Sequence, residues 1–185
     1  MRRRLLSMNG LDEAEEHKFL DAYDRYADAL YRHCTFRVFS KEFARELVQE
    51  TFMKTWGYLA GGKRIENLRA FLYRTAHNLI IDASRRKREQ SLEAMREGGG
   101  DEGQPFEPGD AGAQARDIER RADMHSVFAT LKTLPEEFRT MLTMRYVDDL
   151  EPREIADILG ISANAASVRI HRALETLKKY LEAKP

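Results

Sequence analysis

Apolar side chains recur every three or four residues along most of this chain, which is the period of an amphipathic α-helix. The segments that show this period are residues 12–39 (as one helix or two), 41–59, 68–89, 117–131, 135–147, 152–159 and 163–182. No stretch alternates for long with the period of two that is typical of a β-strand. The pattern therefore predicts an all-α fold.

The helical pattern disappears between residues 91 and 116, where a run of three glycines and two prolines occurs. Residues 91–120 carry 8 acidic and 3 basic side chains. Such a composition favours a flexible, extended segment, because it can bury little apolar surface. The sequence therefore predicts two small helical domains, residues 12–90 and 117–183, joined by a flexible acidic linker at residues 91–116.

Residues 151–174 have the pattern of two short helices around a tight turn. Pro152 suits the first position of a helix, where its missing N–H has no partner to lose. Gly160 can adopt the left-handed conformation that ends a helix, and Ser162 is a good N-cap for the next one. Ala156 is small enough to let the two helices cross closely. This is the spacing of a helix-turn-helix, whose second helix enters the major groove of DNA.

The second of these helices has two different faces. Its apolar positions, spaced by three or four residues, are Ala166, Ile170, Leu174, Leu177 and Leu181. The other side chains of interest are Asn164, Ser167, Val168, His171 and Arg172. An apolar Val168 facing away from the core fits against a thymine methyl group, and its polar neighbours suit base edges and phosphates. The alternative is a surface helix with one exposed valine, which is common in any protein.

The helix predicted at residues 68–89 ends in a concentrated positive block, Arg85-Arg86-Lys87-Arg88. Basic, polar and aromatic side chains precede this block: Arg69, Phe71, Tyr73, Arg74, His77 and Asn78. Cations beside aromatic rings suit single-stranded or melted nucleic acid, because cations neutralise phosphates while rings stack on bases. A basic cap that interacts favourably with the helix dipole explains the same block equally well.

Composition limits the chemistry of the chain. Lys+Arg and Asp+Glu balance at 31 each, so the net charge does not indicate a nucleic-acid partner. Cys34 is the one cysteine, which excludes an intramolecular disulfide and a cysteine-based metal cluster. No Gly-rich phosphate loop and no His-Glu-x-x-His motif occurs, and the five histidines are scattered. We therefore expect no enzyme, no cofactor and no metal site.

The chain also lacks the pattern of a membrane or secreted protein. No apolar run is long enough to span a bilayer, and the basic start Met1-Arg-Arg-Arg lacks the apolar core of a signal peptide. We expect a cytoplasmic protein without membrane insertion. Met8 is an alternative start.

Three segments together resemble one family. Residues 46–56 (ELVQETFMKTW) and 67–88 (NLRAFLYRTAHNLIIDASRRKR) are similar to region two of bacterial sigma factors, and residues 134–177 are similar to region four. Their order and spacing resemble the short two-domain group called extracytoplasmic-function sigma factors, of the sigma-70 family. The resemblance covers about residues 15–90 and 120–181. Members of this family are promoter-specificity subunits of RNA polymerase. They recognise the −35 and −10 elements, aid promoter melting and direct transcription initiation.

The resemblance implies a role for each matching position. Core-polymerase binding falls on Glu46, Gln49 and Glu50. The alternative is that Glu46, Glu50 and Lys54 form a solvated helix face with an i,i+4 ion pair. Binding of the −10 element falls on Lys63, Arg64, Asn67, Arg69, Tyr73, Arg74, His77, Asn78, Arg85, Arg86 and Arg88. Binding of the −35 element falls on Ser162, Asn164, Ser167, Val168, Arg169, His171 and Arg172. Ser167 and Val168 stand where the family usually has a basic residue and a serine, so its −35 sequence preference does not transfer.

The partners implied are bacterial core RNA polymerase, promoter DNA and an anti-sigma factor. The acidic linker matches the connector that runs toward the active-site channel. The alternative hypothesis is a free-standing helix-turn-helix regulator whose N-terminal helices sense a ligand or form a dimer. A ligand-sensing domain needs neither the basic third helix nor the motif at residues 46–56. A third hypothesis, an adaptor that binds partner helices without DNA, leaves the face with Val168, His171 and Arg172 unexplained.

Overall fold

A computed structural model describes residues 13–97, 127 and 129–182. The helices in chain order are α1 (Glu13–Val38), α2 (Lys41–Ala60), α3 (Leu68–Glu97), α4 (Glu136–Leu142), α5 (Pro152–Leu159) and α6 (Ala163–Glu182). Five π-helical residues, Thr143–Val147, follow α4, and residues 129–133 are helical as well. The chain divides into two compact units between Gly103 and Gln104. The predicted all-α, two-domain fold is confirmed.

The first unit packs α1 against both α2 and α3. Leu30 and Cys34 of α1, Val48 and Phe52 of α2, and Leu72 and Ala76 of α3 are buried in its core. Because these side chains recur at three- and four-residue spacing, each helix turns one apolar stripe inward. The rings of Phe19 and Trp56 add an edge-on contact between α1 and α2, with centroids 5.0 Å apart.

Side-chain caps begin two of these helices. Ser40 Oγ accepts a hydrogen bond from the Phe43 amide at 3.3 Å, and Asn67 Oδ1 accepts one from the Ala70 amide at 3.0 Å. Asn67 is therefore the side-chain cap of α3. The end predicted for α3, residue 89, is wrong, because the helix continues to Glu97. Residues 91–97 contain Leu, Ala, Met, Arg and Glu, which favour helix, and no helix breaker occurs before Gly98.

The predicted linker thus begins inside α3 in this structure. Its remaining part, residues 98–116, lies outside the described residues, as does the predicted helical stretch at 117–126. The domain boundaries and the flexibility of the linker stay predictions.

The second unit contains the predicted helix-turn-helix, α5 and α6. Pro152 is the first residue of α5, and Glu151 and Glu154 form a reciprocal capping box at its start. Gly160 ends α5 in the left-handed conformation, with φ 67° and ψ 35°. Ser162 Oγ accepts a hydrogen bond from the Ala165 amide at 3.1 Å, which confirms the predicted N-cap of α6.

The crossing of α5 and α6 is lined by small and branched side chains. Ile155 and Ala156 of α5 and Ala166 and Ile170 of α6 are buried. Small side chains let two helix axes approach closely, so the prediction made for Ala156 fits the structure. Leu181, predicted on the buried stripe of α6, is 36% exposed because it lies in the last turn, beyond the crossing.

None of the described helices is both long enough and apolar enough to cross a membrane.

Candidate functional site

The exposed face of α2 carries Glu46, Gln49 and Glu50. Glu50 makes an ion pair with Lys54 one turn later, at 3.4 Å, and both side chains are about half exposed (53% and 54%). An exposed pair of this kind contributes little to stability. The carboxylates therefore stay available to a partner, and the helix does not depend on them for its fold.

An apolar groove lies beside this face, between α1 and α2. Its volume is about 790 Å³, and its lining includes Phe19, Tyr23, Val48, Gln49, Phe52, Met53 and Trp56. Met53 is 66% exposed and Tyr23 is 49% exposed. Large apolar side chains left exposed together are typical of surfaces that contact a protein, a membrane or a ligand. The sequence pattern singles out neither Tyr23 nor Met53 as a contact residue. The available signal for Met53 was its position four residues after Gln49, which places the two side chains on the same face of α2.

The loop between α2 and α3 presents a basic surface. Lys63, Arg64 and Asn67 are all exposed. The Lys63 ammonium group lies 4.8 Å from the centre of the Tyr58 ring, which in turn packs on Phe71 at a centroid distance of 4.8 Å. This stack of cation on ring orients Lys63 without burying its charge.

Helix α3 continues the basic surface. The basic and amide side chains that point to solvent along it are Arg74, Asn78, Arg85, Arg86 and Arg88, with Arg69 partly covered. Arg85 is within 4.0 Å of Glu89, and both are largely exposed (72% and 69%). The surface offers guanidinium and amide donors along several turns of one helix, which fits a phosphate backbone with unstacked bases.

Two predicted members of this surface lie inside the unit instead. Tyr73 is 1% exposed, and its ring meets the ring of His33 edge-on at 5.3 Å. His77 is mostly covered, and its Nδ1 atom lies 3.4 Å from Nη1 of Arg37. Burial, Arg37 and then His33 lower the pKa of His77 from 6.5 to about 4, so the ring is neutral at neutral pH. In this conformation a base cannot stack on Tyr73.

The outer face of α6 carries the predicted recognition side chains. Asn164, Ser167, Val168, His171 and Arg172 are exposed, and Val168 is 40% exposed. The predicted outward orientation of Val168 is confirmed, although its contact with DNA is a separate prediction. The His171 ring lies 3.4 Å from Glu175, one turn along the helix.

Three of the predicted α6 side chains also support the fold. Arg169 is paired with Glu137 of α4 at 3.2 Å. Ser162 caps α6, and the Ser167 hydroxyl donates to the Ala163 carbonyl at 3.0 Å. The Arg169 pair joins α6 to α4, the serine hydroxyls bond locally, and Asn164, Val168 and Arg172 remain on the outer face of α6. Among the described residues, no cluster of His, Cys, Asp or Glu could hold a metal ion.

Family models match both units of the chain. Residues 22–90 match the model described as Sigma-70 region 2, and residues 125–177 match the model described as Sigma-70, region 4. The first match covers α2 with its acidic face, the basic loop and most of α3. The second covers α4, α5 and most of α6.

Relatives matched over most of their length agree with these matches. The chain is 28% identical over 173 residues to the ECF RNA polymerase sigma factor SigW of Bacillus subtilis, which covers 91% of each chain. It is 29% identical over 140 residues to the ECF RNA polymerase sigma-E factor of Escherichia coli, or 71% of this chain and 70% of that one.

Two solved structures have the same fold. One is the sigma factor RpoE in complex with the anti-sigma factor NepR from Bartonella quintana, with a TM-score of 0.72 and 20% identity over 91% of this chain and 99% of that chain. The other is CnrH in complex with the cytosolic domain of CnrY, with a TM-score of 0.63 and 22% identity over 92% and 91% of the two chains. At these identities the likeness concerns the fold alone.

Proposed function

Because this chain belongs to the sigma-70 family, in the extracytoplasmic-function group of RNA polymerase sigma factors, we propose that its two units divide promoter recognition between them. The chain is a promoter-specificity subunit of bacterial RNA polymerase, which recognises −35 and −10 elements, aids promoter melting and directs initiation. The match of region 2 to the first unit accounts for the helices that a free-standing regulator would use for a ligand or a dimer. That alternative is therefore not favoured.

The exposed face of α2 is our proposed contact with core polymerase. Glu46, Gln49 and Glu50 project from one side of the helix into solvent, and none of them is needed by the core of the unit. The apolar groove beside Gln49 adds surface that a protein partner can desolvate. A polar face beside an apolar groove suits protein better than nucleic acid, because no basic side chain dominates it.

We assign −10 recognition to the basic surface formed by the loop before α3 and by α3 itself. Its proposed contacts are Lys63, Arg64, Asn67, Arg69, Arg74, Asn78, Arg85, Arg86 and Arg88. The observation that supports this assignment is the exposure of donors at several turns of α3. The resemblance also gives Tyr73 and His77 a role in −10 binding. Both residues belong to α3, but their side chains are covered inside the unit.

We assign −35 recognition to the outer face of α6. Val168 offers an apolar contact to a thymine methyl group, and Asn164 and Arg172 offer donors to base edges. Ser162, Ser167, Arg169 and His171 complete the proposed surface near the phosphates. The spacing of Asn164, Val168 and Arg172 by four residues supports the assignment, because it aligns them along one side of the helix.

An anti-sigma factor is the proposed inhibitor of this chain. Two structures of the same fold are named as complexes with an anti-sigma factor or with the cytosolic domain of a second protein. Copurification from the native cell, followed by mass spectrometry, identifies such a partner. Recovery of the chain bound only to polymerase, under conditions in which its promoters are silent, would contradict the proposal.

The proposal includes neither catalysis nor a cofactor. Family members are non-catalytic subunits, and the polymerase supplies the chemistry of RNA synthesis. Because polymerase and chromosome lie in the cytoplasm, we propose the same location for this chain.

The experiment that tests the function is a pull-down of bacterial core polymerase by the purified chain, followed by transcription from a pool of genomic fragments. We expect stable association and initiation at promoters that share two sequence elements. Binding of duplex DNA without binding of core polymerase would instead favour the free-standing regulator.

A further inference from the structure

Helices α1 and α3 meet through a set of polar side chains, which we call the α1–α3 seam. The seam consists of His33 and Arg37 on α1 and of Tyr73 and His77 on α3. His33 is fully buried, and Arg37 and Tyr73 are 4% and 1% exposed. The apolar side chains Leu72, Ala76 and Ile80 of α3 are also buried.

The seam has matching register on the two helices. His33 and Arg37 are four residues apart on α1, and Tyr73 and His77 are four residues apart on α3, so each pair lies on one side of its helix. The rings of His33 and Tyr73 contact each other edge-on, with centroids 5.3 Å apart. Arg37 and His77 form a hydrogen bond, with 3.4 Å between Arg37 Nη1 and His77 Nδ1.

The chemistry of this hydrogen bond determines its direction. A guanidinium group has only N–H donors, so Nδ1 of His77 is the acceptor and the ring carries its proton on Nε2. The low pKa of His77, about 4, agrees with a neutral ring that faces a cation. His77 therefore offers no positive charge to a phosphate at neutral pH.

The seam lies next to the proposed −10 surface. Arg74 and Asn78 are exposed and stand three residues before and one residue after His77. Any rotation of α3 about its axis would move them together with His77. An apolar contact tolerates such a rotation, whereas a buried hydrogen bond between specific atoms does not, and buried polar groups are known to set register.

We propose that His77 is a positioning residue, which accepts a hydrogen bond from Arg37 and thereby sets the rotation of α3 that presents Arg74 and Asn78 to the −10 element. His77 acts through Arg37 and does not touch DNA. The proposal rests on the proposed −10 role of α3.

The test is a double-mutant cycle in full-length chain bound to core polymerase. The variants are His77→Leu, Arg37→Met and both together, and the measurement is the rate of open-complex formation at a promoter found by the pooled transcription above. We expect each single change to slow opening roughly tenfold, as for a lost hydrogen bond to a charged group. We expect the double variant to be no slower than the slower single variant, because both changes remove the same interaction.

Additive losses in the double variant would overturn the proposal, since they would mean that His77 acts independently of Arg37. Arg74→Ala separates this failure from failure of the proposed −10 role. Slowed opening in Arg74→Ala with normal opening in His77→Leu would overturn the positioning role alone. Normal opening in both Arg74→Ala and Asn78→Ala would overturn the −10 role, and the positioning role with it.

Conservative variants distinguish a specific hydrogen bond from general support of the fold. The amide oxygen of Asn reaches the place of Nδ1, whereas that of Gln reaches further along the ring. We expect His77→Asn to open the promoter nearly as fast as the wild type and His77→Gln to resemble His77→Leu, all with unchanged affinity for core polymerase. Equal loss in Asn and Gln variants would contradict the proposal, and this pair decides the matter if His77→Leu does not fold.

Discussion

At the scale of single residues, burial separates side chains that the sequence pattern treats alike. Arg74 and Asn78 are exposed, whereas Tyr73 and His77, each one residue earlier, lie in the α1–α3 seam. The side chains that cover them, His33 and Arg37, are about 40 residues away in sequence. A polar residue on a helix is therefore assigned to a surface or to an interface only when the opposite helix is known.

Protonation of His77 provides a prediction about pH. Its pKa is about 4 in the folded chain and near 6.5 when unfolded, because burial, Arg37 and His33 oppose the charged ring. Between these values the unfolded chain binds more protons, so stability is complete above pH 6.5 and falls as the pH drops toward 4. We expect a loss of up to about 2 kcal/mol between pH 7.5 and pH 5.

Urea denaturation of the wild type and of His77→Asn at both pH values measures this contribution. The variant keeps an acceptor for Arg37 but cannot be protonated, so its stability is expected to change less with pH. Equal pH dependence in the two proteins would show that His77 is not responsible.

The face on α2 provides a second prediction. Glu50→Lys places a cation where we propose that core polymerase meets a carboxylate, and we expect affinity for core polymerase to fall on the order of tenfold or more. Asp21→Lys is the control, because Asp21 is exposed on α1 and the charge changes equally. Normal core binding by Glu50→Lys in a titration of labelled chain would mean that the face is assigned wrongly.

At the scale of elements, the sequence pattern predicted most helices, and its two errors have local causes. Helix α3 continues to Glu97 because strong helix formers follow the positive block. The stretch after Leu142 is π-helical, with the Asp148 amide bonded to the Thr143 carbonyl at 3.1 Å. Amphipathic spacing does not distinguish this hydrogen-bond pattern from an α-helix, because the two differ by one residue per bond.

Two glycines give a matched prediction about helix geometry. Gly160 has φ 67°, so an alanine there is strained by about 1–2 kcal/mol although its Cβ would meet no atom within 4 Å. Gly57 lies inside α2, and its added Cβ would also meet no atom within 4 Å. We expect Gly57→Ala to stabilise the first unit by about 0.5–1 kcal/mol. If backbone conformation alone sets the change in stability, the melting temperature rises in Gly57→Ala and falls in Gly160→Ala, as measured by thermal denaturation.

The outer face of α6 gives a prediction at the same scale. Arg172→Ala is expected to reduce discrimination between the preferred −35 element and a scrambled one by about 1–3 kcal/mol, because a contact to a base edge carries sequence information. Lys178→Ala is the control, since this exposed lysine lies about 9 Å further along the helix axis. A uniform loss of affinity for both sequences would instead identify Arg172 as a phosphate contact.

At the scale of the whole molecule, the proposed polymerase face and the proposed −35 face belong to different compact units. Changes at separate sites without shared partners add in free energy to within about 0.5 kcal/mol. We therefore expect Glu50→Lys to weaken core binding by the same factor with or without Arg172→Ala. The check is core affinity measured for both single variants and for the double variant without DNA.

A deviation from additivity larger than this would show that the two surfaces act on the same step of core binding.

The apolar groove between α1 and α2 is a further feature of the assembled unit, because Phe19 and Trp56 line it from different helices. Neither helix has the groove by itself.

The sequence by itself determined most of the helices and the helix-turn-helix with its caps, because these depend on side chains within a few residues of one another. Pro152, Gly160 and Ser162 act where the spacing placed them. Tertiary structure alone decided that Tyr73 and His77 are covered and that Tyr23 and Met53 are left exposed. The physical reason is that burial and pKa depend on which side of another helix lies opposite, and helical periodicity within one segment contains no information about that partner.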